Sequence, residues 1–358
     1  MKIVQLLTTI AYGDAIGNDT LAIRDFIREK GYETAIYAEG IDSRLPAGTA
    51  LPFDQMPPLE RDDILLYHAS TGTPLNTALL SYGGKKVMIY HNVTPPRYFS
   101  GYSPTAEDNC RWGELQIGYI ARYVDYCIAD SEYNKQQLLA MGCQCPIEVC
   151  PILIPFEDYE KAPDEKLLQK YRSDGWTNLL FVGRIAPNKC QQDVIRAFYV
   201  YQKRYNPKSR LFLVGNGTGE KYQQQLADYA QQLGIADKVI FPGHIKFNAI
   251  LAYYHLADVF VCMSEHEGFC VPIVEAMHFR KPIVAYASTA IPETLGRGGL
   301  LLDSKDPELA AGAINRVLED SKLRNFLLAQ QEEELKRFKY EAVKEKFMKC
   351  LEHVLQSN

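Results

Sequence analysis

Short apolar runs alternate with segments of helical period from one end of the chain to the other, which predicts parallel sheets covered by helices on both faces. In the first half the runs fall at Lys2 to Leu7, Glu33 to Tyr37, Ile64 to Tyr67, Lys86 to Tyr90, Tyr126 to Ala129 and Ile147 to Cys150. Helical period is clearest over Thr20 to Lys30 and over Ser131 to Met141, where Ser131 suits an N-cap and Gly142 a stop. The alternation breaks at Pro151 to Pro163, a proline-punctuated acidic stretch of the kind that joins domains. It resumes with runs at Asn178 to Val182, Arg210 to Val214, Val239 to Phe241, Val259 to Met263 and Pro282 to Ala285. Near the end, Val343, Phe347, Cys350, Leu351 and Val354 share one stripe of a helix over Glu341 to Leu355, and such a stripe must pack on something.

The 358 residues exceed one ordinary core and suit two doubly wound domains, 1–155 and 156–340, with the last helix, 341–358, packing back on the first. Two such domains imply a cleft. Hydrophobic residues at 47% and charged residues at 23% fit a folded globular chain, and a net charge of -5 offers no field for a nucleic-acid backbone. The first apolar run is short and leads into a Gly/Asp loop, unlike a signal peptide, and none approaches the ~18 residues that span a bilayer. A cytoplasmic protein is expected. Nine scattered cysteines fit reduced thiols; Cys143 and Cys145, with Cys150 nearby, form the one cluster, and no histidine or second pair at zinc spacing completes it. No metal ligand set is therefore expected.

Two stretches carry chemistry. In residues 258–277, DVFVCMSEHEGFCVPIVEAM, an apolar strand ends at Ser264 and a helix begins near Val271, with Pro272 in its first turn. The amides of Gly268, Phe269, Cys270 and Val271 lie at that helix start, where the positive dipole end suits a diphosphate. Glu267 stands at the strand's carboxyl end, the ligand crevice of open α/β sheets, and Glu275 is placed to reach back toward a ribose. In residues 179–198, LLFVGRIAPNKCQQDVIRAF, Gly183 ends a strand, and Arg184 and Lys189 flank a turn where two cations suit a diphosphate. Taken singly, Glu267 reads as a solvated loop acid and Glu275 as a helix-start charge, while surface charge explains Arg184 and Lys189 equally well.

Together the two stretches resemble the retaining glycosyltransferase family four, a GT-B group that includes bacterial cell-surface mannosyl- and glucosyltransferases. The resemblance rests on Gly183-Arg184 with Lys189, on Glu267-Gly268-Phe269, on Glu275-Ala276-Met277 and on Lys281-Pro282. It implies two Rossmann-like domains facing each other across a cleft. Arg184 and Lys189 would hold the donor diphosphate, Glu267 would face the transferred sugar, and Glu275 would bind the ribose. The segment Gly243 to Lys246, including His244 and Ile245, would read the base. The chain departs from the family at Cys270, at Arg280 and at Thr289-Ala290, where glycines are commoner.

In the first half, the stretch Ala11 to Asp19 follows the first strand and opens the first helix. By position it resembles the family's phosphate-covering loop, which gives Gly13 to the donor and Asp14, Asn18 and Asp19 to an acceptor sugar; a plain strand-to-helix turn is the alternative. His91, at the carboxyl end of the fourth run, matches the family's histidine that faces the donor sugar. The resemblance implies transfer of a hexose from GDP-mannose or a UDP-sugar to a glycan or lipid-linked glycan, in surface polysaccharide or lipopolysaccharide synthesis, with retention. No Asp-x-Asp is found, so protein cations would replace a metal and no cofactor is expected. The aromatic and basic segment Arg97 to Tyr126 reads as a contact with the inner face of a membrane or as a buried aromatic face.

Rival readings remain. Leu213 to Gly219 is a glycine-rich turn after a strand but lacks the spacing of a dinucleotide site. A nucleotide-sugar epimerase and a non-catalytic sugar-nucleotide binder are the nearer alternatives.

Overall fold

The computed structural model describes residues 1–217, 220–243 and 245–356. The chain divides into two compact units, the first of Met1–Ser100, Pro104–Phe156 and Phe338–Asn358, the second of Gly101–Ser103 and Glu157–Arg337.

The first unit is built on β1 (Ile3–Ile10), β2 (Ile36–Ile41), β3 (Leu51–Pro52), β4 (Ile64–Ala69), β5 (Lys85–Tyr90), β6 (Tyr126–Ala129) and β7 (Ile147–Val149). These lie in the order β3-β2-β1-β4-β5-β6-β7, all parallel. The second unit holds β8 (Thr177–Val182), β9 (Ser209–Val214), β10 (Val239–Ile240), β11 (Val259–Cys262), β12 (Ile283–Tyr286) and β13 (Leu300–Leu302), again parallel, in the order β10-β9-β8-β11-β12-β13. Central strands such as β4, β9 and β11 are buried at every position, which is why they read as unbroken runs rather than alternating ones.

The strand order reverses between β1 and β4 in one sheet and between β8 and β11 in the other. At such a switch point the connections leave in opposite directions and open a crevice at the strands' carboxyl ends.

The final helix, Tyr340–Gln356, places Val343, Phe347, Cys350, Leu351 and Val354 in one core with Ile3, Phe26, Ile64 and Val87 of the first unit. Burying five such side chains is worth on the order of 10 kcal/mol before chain entropy is counted. Phe347 meets Phe26 edge-on at 6.3 Å, and Lys344 bonds Glu29 at 2.8 Å.

Some expectations need correction. The second strand lies at Ile36–Ile41 rather than over Glu33 to Tyr37, and Glu33 makes only an isolated bridge to Lys2. The first helix starts at Ala15, five residues early, because Asp14 accepts from the Gly17 amide and caps it. The stretch Ala11 to Asp19 thus opens the first helix, as expected, with Asp14 as its cap. The short edge strands β3 and β13 carry too few residues to show a period. Cys150 lies not beside Cys143 but under the final helix, its Sγ 3.9 Å from the Val343 carbonyl. Among the described residues no helix is long and apolar enough to cross a membrane.

Candidate active site

In the second unit the residues of interest gather where β8 and β11 diverge. After β8, Gly183 takes φ +148°, and a Cβ on its neighbour Gly215 would stand 1.9 Å from the Gly183 carbonyl oxygen. The glycine-rich turn after β9 is therefore spent on backbone packing: Ile185 donates to the Asn216 carbonyl at 2.8 Å. Thr218 and Gly219 of that turn lie outside the described residues.

The chain then makes a 3-10 turn over Pro187–Lys189. Asn188 ties this turn to the loop after β11, accepting from the Glu265 amide (2.9 Å) and donating to the His266 carbonyl (3.1 Å). That double tether delivers Lys189 Nζ to Glu267 Oε2 at 2.5 Å. Lys189 and Glu267 side chains are 16% and 9% exposed, so the pair is screened from most of the solvent. Arg184 stands exposed, its carbonyl held by Gln191 Nε2 at 2.8 Å. Asn188 Oδ1 and Gln191 Oε1 are buried acceptors with no hydrogen-bond partner among the described residues. Asn188 was not singled out in the sequence, although it sits inside the Gly-Arg to Lys segment.

Glu267 is fixed by its backbone as well, since its amide donates to Thr289 Oγ1 at 2.9 Å. Thr289 has φ +46°, Cys270 +76° and Arg280 +53°. These are the three places where the sequence departs from the family's glycines. The backbone has kept the left-handed conformation that glycine adopts freely and that costs an L-residue about 1–2 kcal/mol. The two other non-glycine residues with positive φ among those described, Asn92 (+78°) and Cys190 (+52°), directly follow His91 and Lys189. Strain of this kind persists where surrounding structure holds it, commonly at functional sites.

The helix Val271–His278 begins with Pro272 in its first turn, and its N-cap residue Cys270 makes no side-chain capping bond. Gly268, Phe269 and Cys270 lead into it. Glu275, half-buried on this helix, accepts from Tyr159 Oη (2.8 Å) and Tyr254 Oη (2.6 Å). Burial raises its carboxyl above the ordinary range, and the two tyrosine hydroxyls oppose that rise. Neither tyrosine was identified from the sequence, where nothing marks a partner 116 or 21 positions away. Ile245 is half-buried before the helix Phe247–Leu256, and His244 lies outside the described residues.

In the first unit, Gly13 has φ +76° with open space around it, Asp14 is the helix cap and Asn18 is exposed. Asp19 requires correction as an acceptor ligand: it is 3% exposed and accepts from the Leu153 amide at 2.7 Å. Burial pushes its carboxyl up to about 7, against the pull of His91.

His91 directly follows β5, and its ring is closed in on both sides. Gln5 Nε2 donates to the Thr20 carbonyl (3.0 Å), which turns Gln5 Oε1 toward His68 Nε2 (2.9 Å). His68 must then donate from Nε2 and, when neutral, accept at Nδ1 from His91 Nε2 (2.8 Å). His91 Nδ1 faces Asp130 Oδ2 at 2.9 Å. An imidazolium at His91 opposite an Asp130 carboxylate satisfies every partner. Burial works to lower the His91 imidazole, but the charge and hydrogen bond of Asp130, with Asp19 and Asp14 beyond, hold it above its ordinary value. Burial takes His68 well below its own, as a neutral ring requires.

On the same unit, the helix Pro104–Ile120 and the turn after it expose Trp112, Leu115, Tyr119 and Tyr123, each more than half accessible. The reading of this segment as a buried aromatic face is therefore excluded for these four side chains.

Residues 164–334 match the family described as Glycosyl transferases group 1. An uncharacterized glycosyltransferase of Methanocaldococcus jannaschii is 30% identical over 218 residues, 55% of this chain and 55% of that protein. The O-antigen chain mannosyltransferase B of Escherichia coli is 28% identical over 266 residues, 72% of this chain and 67% of the relative. The chain thus spans about half the length of the first and two thirds of the second. Among solved structures, Anabaena Alr3699/HepE in complex with UDP-glucose superimposes with a TM-score of 0.74 at 19% identity, over 99% of this chain and 100% of that one. Over residues 164–334 the chain is similar to the glycosyl transferases of group 1, and its two Rossmann-like α/β units are those of the GT-B fold.

Proposed function

We propose that this protein is a glycosyltransferase that moves a hexose from a nucleotide-sugar to a glycan or lipid-linked glycan, with retention and without a metal. The observation that carries the reading is the Lys189–Glu267 pair, held by Asn188 and Thr289 at the β8/β11 switch point beside an uncapped helix start. A diphosphate needs cations and amide donors, and a sugar that develops positive charge needs a carboxylate; this corner supplies both. Lys189 and Arg184 hold the diphosphate together with the helix start from Gly268 to Val271. As the bond to the sugar breaks, negative charge grows on the leaving phosphate beside Lys189, and Glu267 faces the cationic centre. The acceptor hydroxyl attacks from the leaving group's side and passes its proton to the departing phosphate.

Glu275, oriented by Tyr159 and Tyr254, takes the ribose hydroxyls, and Gly243 to Lys246 takes the base. Gly13 allows close backbone approach to the donor, and Asp14 and Asn18 meet the acceptor. For His91 the reading requires that Nε2 exchange His68 for a sugar hydroxyl. The donor is GDP-mannose or a UDP-sugar, transfer of mannose in keeping with the E. coli mannosyltransferase and a UDP-sugar with the Anabaena complex. The exposed Trp112, Leu115, Tyr119 and Tyr123 suit the interface of the inner membrane face, where a lipid-linked acceptor in polysaccharide or lipopolysaccharide synthesis would lie.

The test is a thermal-shift screen against GDP, UDP and ADP, followed by release of nucleoside diphosphate from the preferred donor with and without excess chelator. Stabilisation by one diphosphate and turnover that survives the chelator are expected. Loss of turnover restored by magnesium or manganese would overturn the metal-free part, and no stabilisation by any diphosphate would overturn the whole.

A further inference from the structure

The sulfur atoms of Cys127, Cys143 and Cys145 form a nearly equilateral triangle, with Sγ separations of 3.6 Å (Cys127 to Cys143), 3.4 Å (Cys143 to Cys145) and 3.5 Å (Cys145 to Cys127). All three are free thiols. The third corner is supplied by Cys127 on β6, sixteen positions before Cys143, rather than by Cys150. That is why sequence spacing showed only an incomplete set.

Backbone structure fixes each corner. The helix Glu132–Ala140 ends in a turn where Cys143 donates to the Leu138 carbonyl and Gly142 to that of Leu139, both at 3.0 Å, with Gly142 at φ +89°. This closing pattern turns the chain back and points Cys143 toward the sheet. Cys127 donates to the Pro146 carbonyl at 2.9 Å and pairs in register with Ile147, which holds β6 against the residue that follows Cys145. Cys127 and Cys143 are buried and Cys145 is half-buried, so one side of the triangle opens outward. The Arg122 guanidinium lies over Gly142, its Nε 3.4 Å from where a Cβ would stand.

We propose that Cys127, Cys143 and Cys145 bind a thiophilic cation of the zinc type through three thiolates, with the fourth position open on the Cys145 side. Three thiolates around such an ion at Zn–S distances of about 2.3 Å stand about 3.8 Å apart, so each edge need open by only a few tenths of an ångström. On binding, each thiol gives its proton to solvent and no electrons are exchanged. Soft sulfur ligands select zinc or copper(I) over magnesium or calcium. The site lies in the first unit, on different strands from Lys189 and Glu267, and the inference does not rest on the transfer reading. Such an ion would pin β6 to the turn before β7.

The experiment titrates the full, reduced chain with Cd²⁺ and with Zn²⁺, reading thiolate-to-metal absorption for the first, and bound metal after gel filtration and unfolding midpoint for both. One equivalent per chain is expected, with a raised midpoint. Cys145→Ser, chosen because its side chain is half-buried and the change is small, should weaken binding at least about tenfold, whereas Cys150→Ser should leave it unchanged. A folded wild-type chain without thiolate absorption would overturn the proposal. So would equal binding by a folded Cys143→Ser/Cys145→Ser variant, or a Cys127–Cys143 disulfide in freshly isolated protein that binds no metal.

Discussion

Lys189 Nζ and Glu267 Oε2 stand 2.5 Å apart at the ends of two neighbouring strands, so the cation assigned to the donor diphosphate and the carboxylate assigned to the sugar neutralise each other before any donor arrives. The two residues should therefore fail differently. Lys189→Ala removes a charge-assisted contact and leaves a largely buried carboxylate unpaired, so nucleoside-diphosphate affinity should fall by roughly 1.5–3 kcal/mol. Glu267→Gln keeps the shape and removes charge beside the developing cation, so turnover should drop while diphosphate affinity stays within about threefold. Calorimetry and product release separate these. Normal turnover with lost affinity in Glu267→Gln would mean that the two glutamates have exchanged roles.

Tyr254 donates to Glu275 at 2.6 Å from a fully buried ring. Tyr254→Phe deletes that hydroxyl and one of two bonds holding the carboxylate, so stability should fall by about 1–2 kcal/mol and nucleoside-diphosphate affinity should fall with it. Affinity for inorganic diphosphate, which lacks the ribose, should not change; an equal loss for both ligands would place Glu275 elsewhere than on the ribose.

Arg280 and Thr289 share a left-handed backbone but differ in what their side chains do. Arg280 pairs with Glu332, both exposed, and Thr289 holds the Glu267 amide. Arg280→Gly relieves strain at the cost of a surface ion pair worth about 0–1 kcal/mol, so stability should rise by about 0.5–1 kcal/mol with activity unchanged. Thr289→Gly should keep stability near the parent's yet lower turnover, because the loop carrying Glu267 loses its clamp. Denaturant midpoints and initial rates read both, and unchanged turnover in Thr289→Gly would remove Thr289 from the site.

Stability should fall as pH rises through neutrality. Burial raises the Asp19 carboxyl from its unfolded value of 3.8 to about 7, so the folded chain binds the extra proton and loses that advantage as pH climbs. His91, raised as well, contributes fully below its unfolded value and loses its contribution as pH passes through the higher folded one. From about pH 5.5 to about pH 8 the Asp19 share alone is about 2 kcal/mol. Thermal unfolding across this range should show the decline, and Asp19→Asn, which can still accept from Leu153, should flatten it. A slope unchanged in Asp19→Asn would assign the decline to other groups.

The two parallel sheets are legible in the hydrophobic pattern, because strands buried on both faces must be apolar throughout and the helices between them must carry a stripe. The sequence also shows the Gly183-Arg184 to Lys189 and Glu267 to Glu275 segments, whose residues lie close enough along the chain for spacing to be informative. Even the departures at Cys270, Arg280 and Thr289 were legible as missing glycines, though only the backbone angles tell that the left-handed turns survive their loss. The pairings between distant residues come from the fold. Which carboxylate meets Lys189, which tyrosines hold Glu275, that His91 is sealed between His68 and Asp130, and that Cys127 rather than Cys150 completes a sulfur triangle all depend on strand order and register. Those partners lie 16 to 116 positions apart and carry no period. In a parallel sheet neighbours in space are separated by whole crossovers, so hydrophobic pattern fixes that a strand exists but not which strand lies beside it.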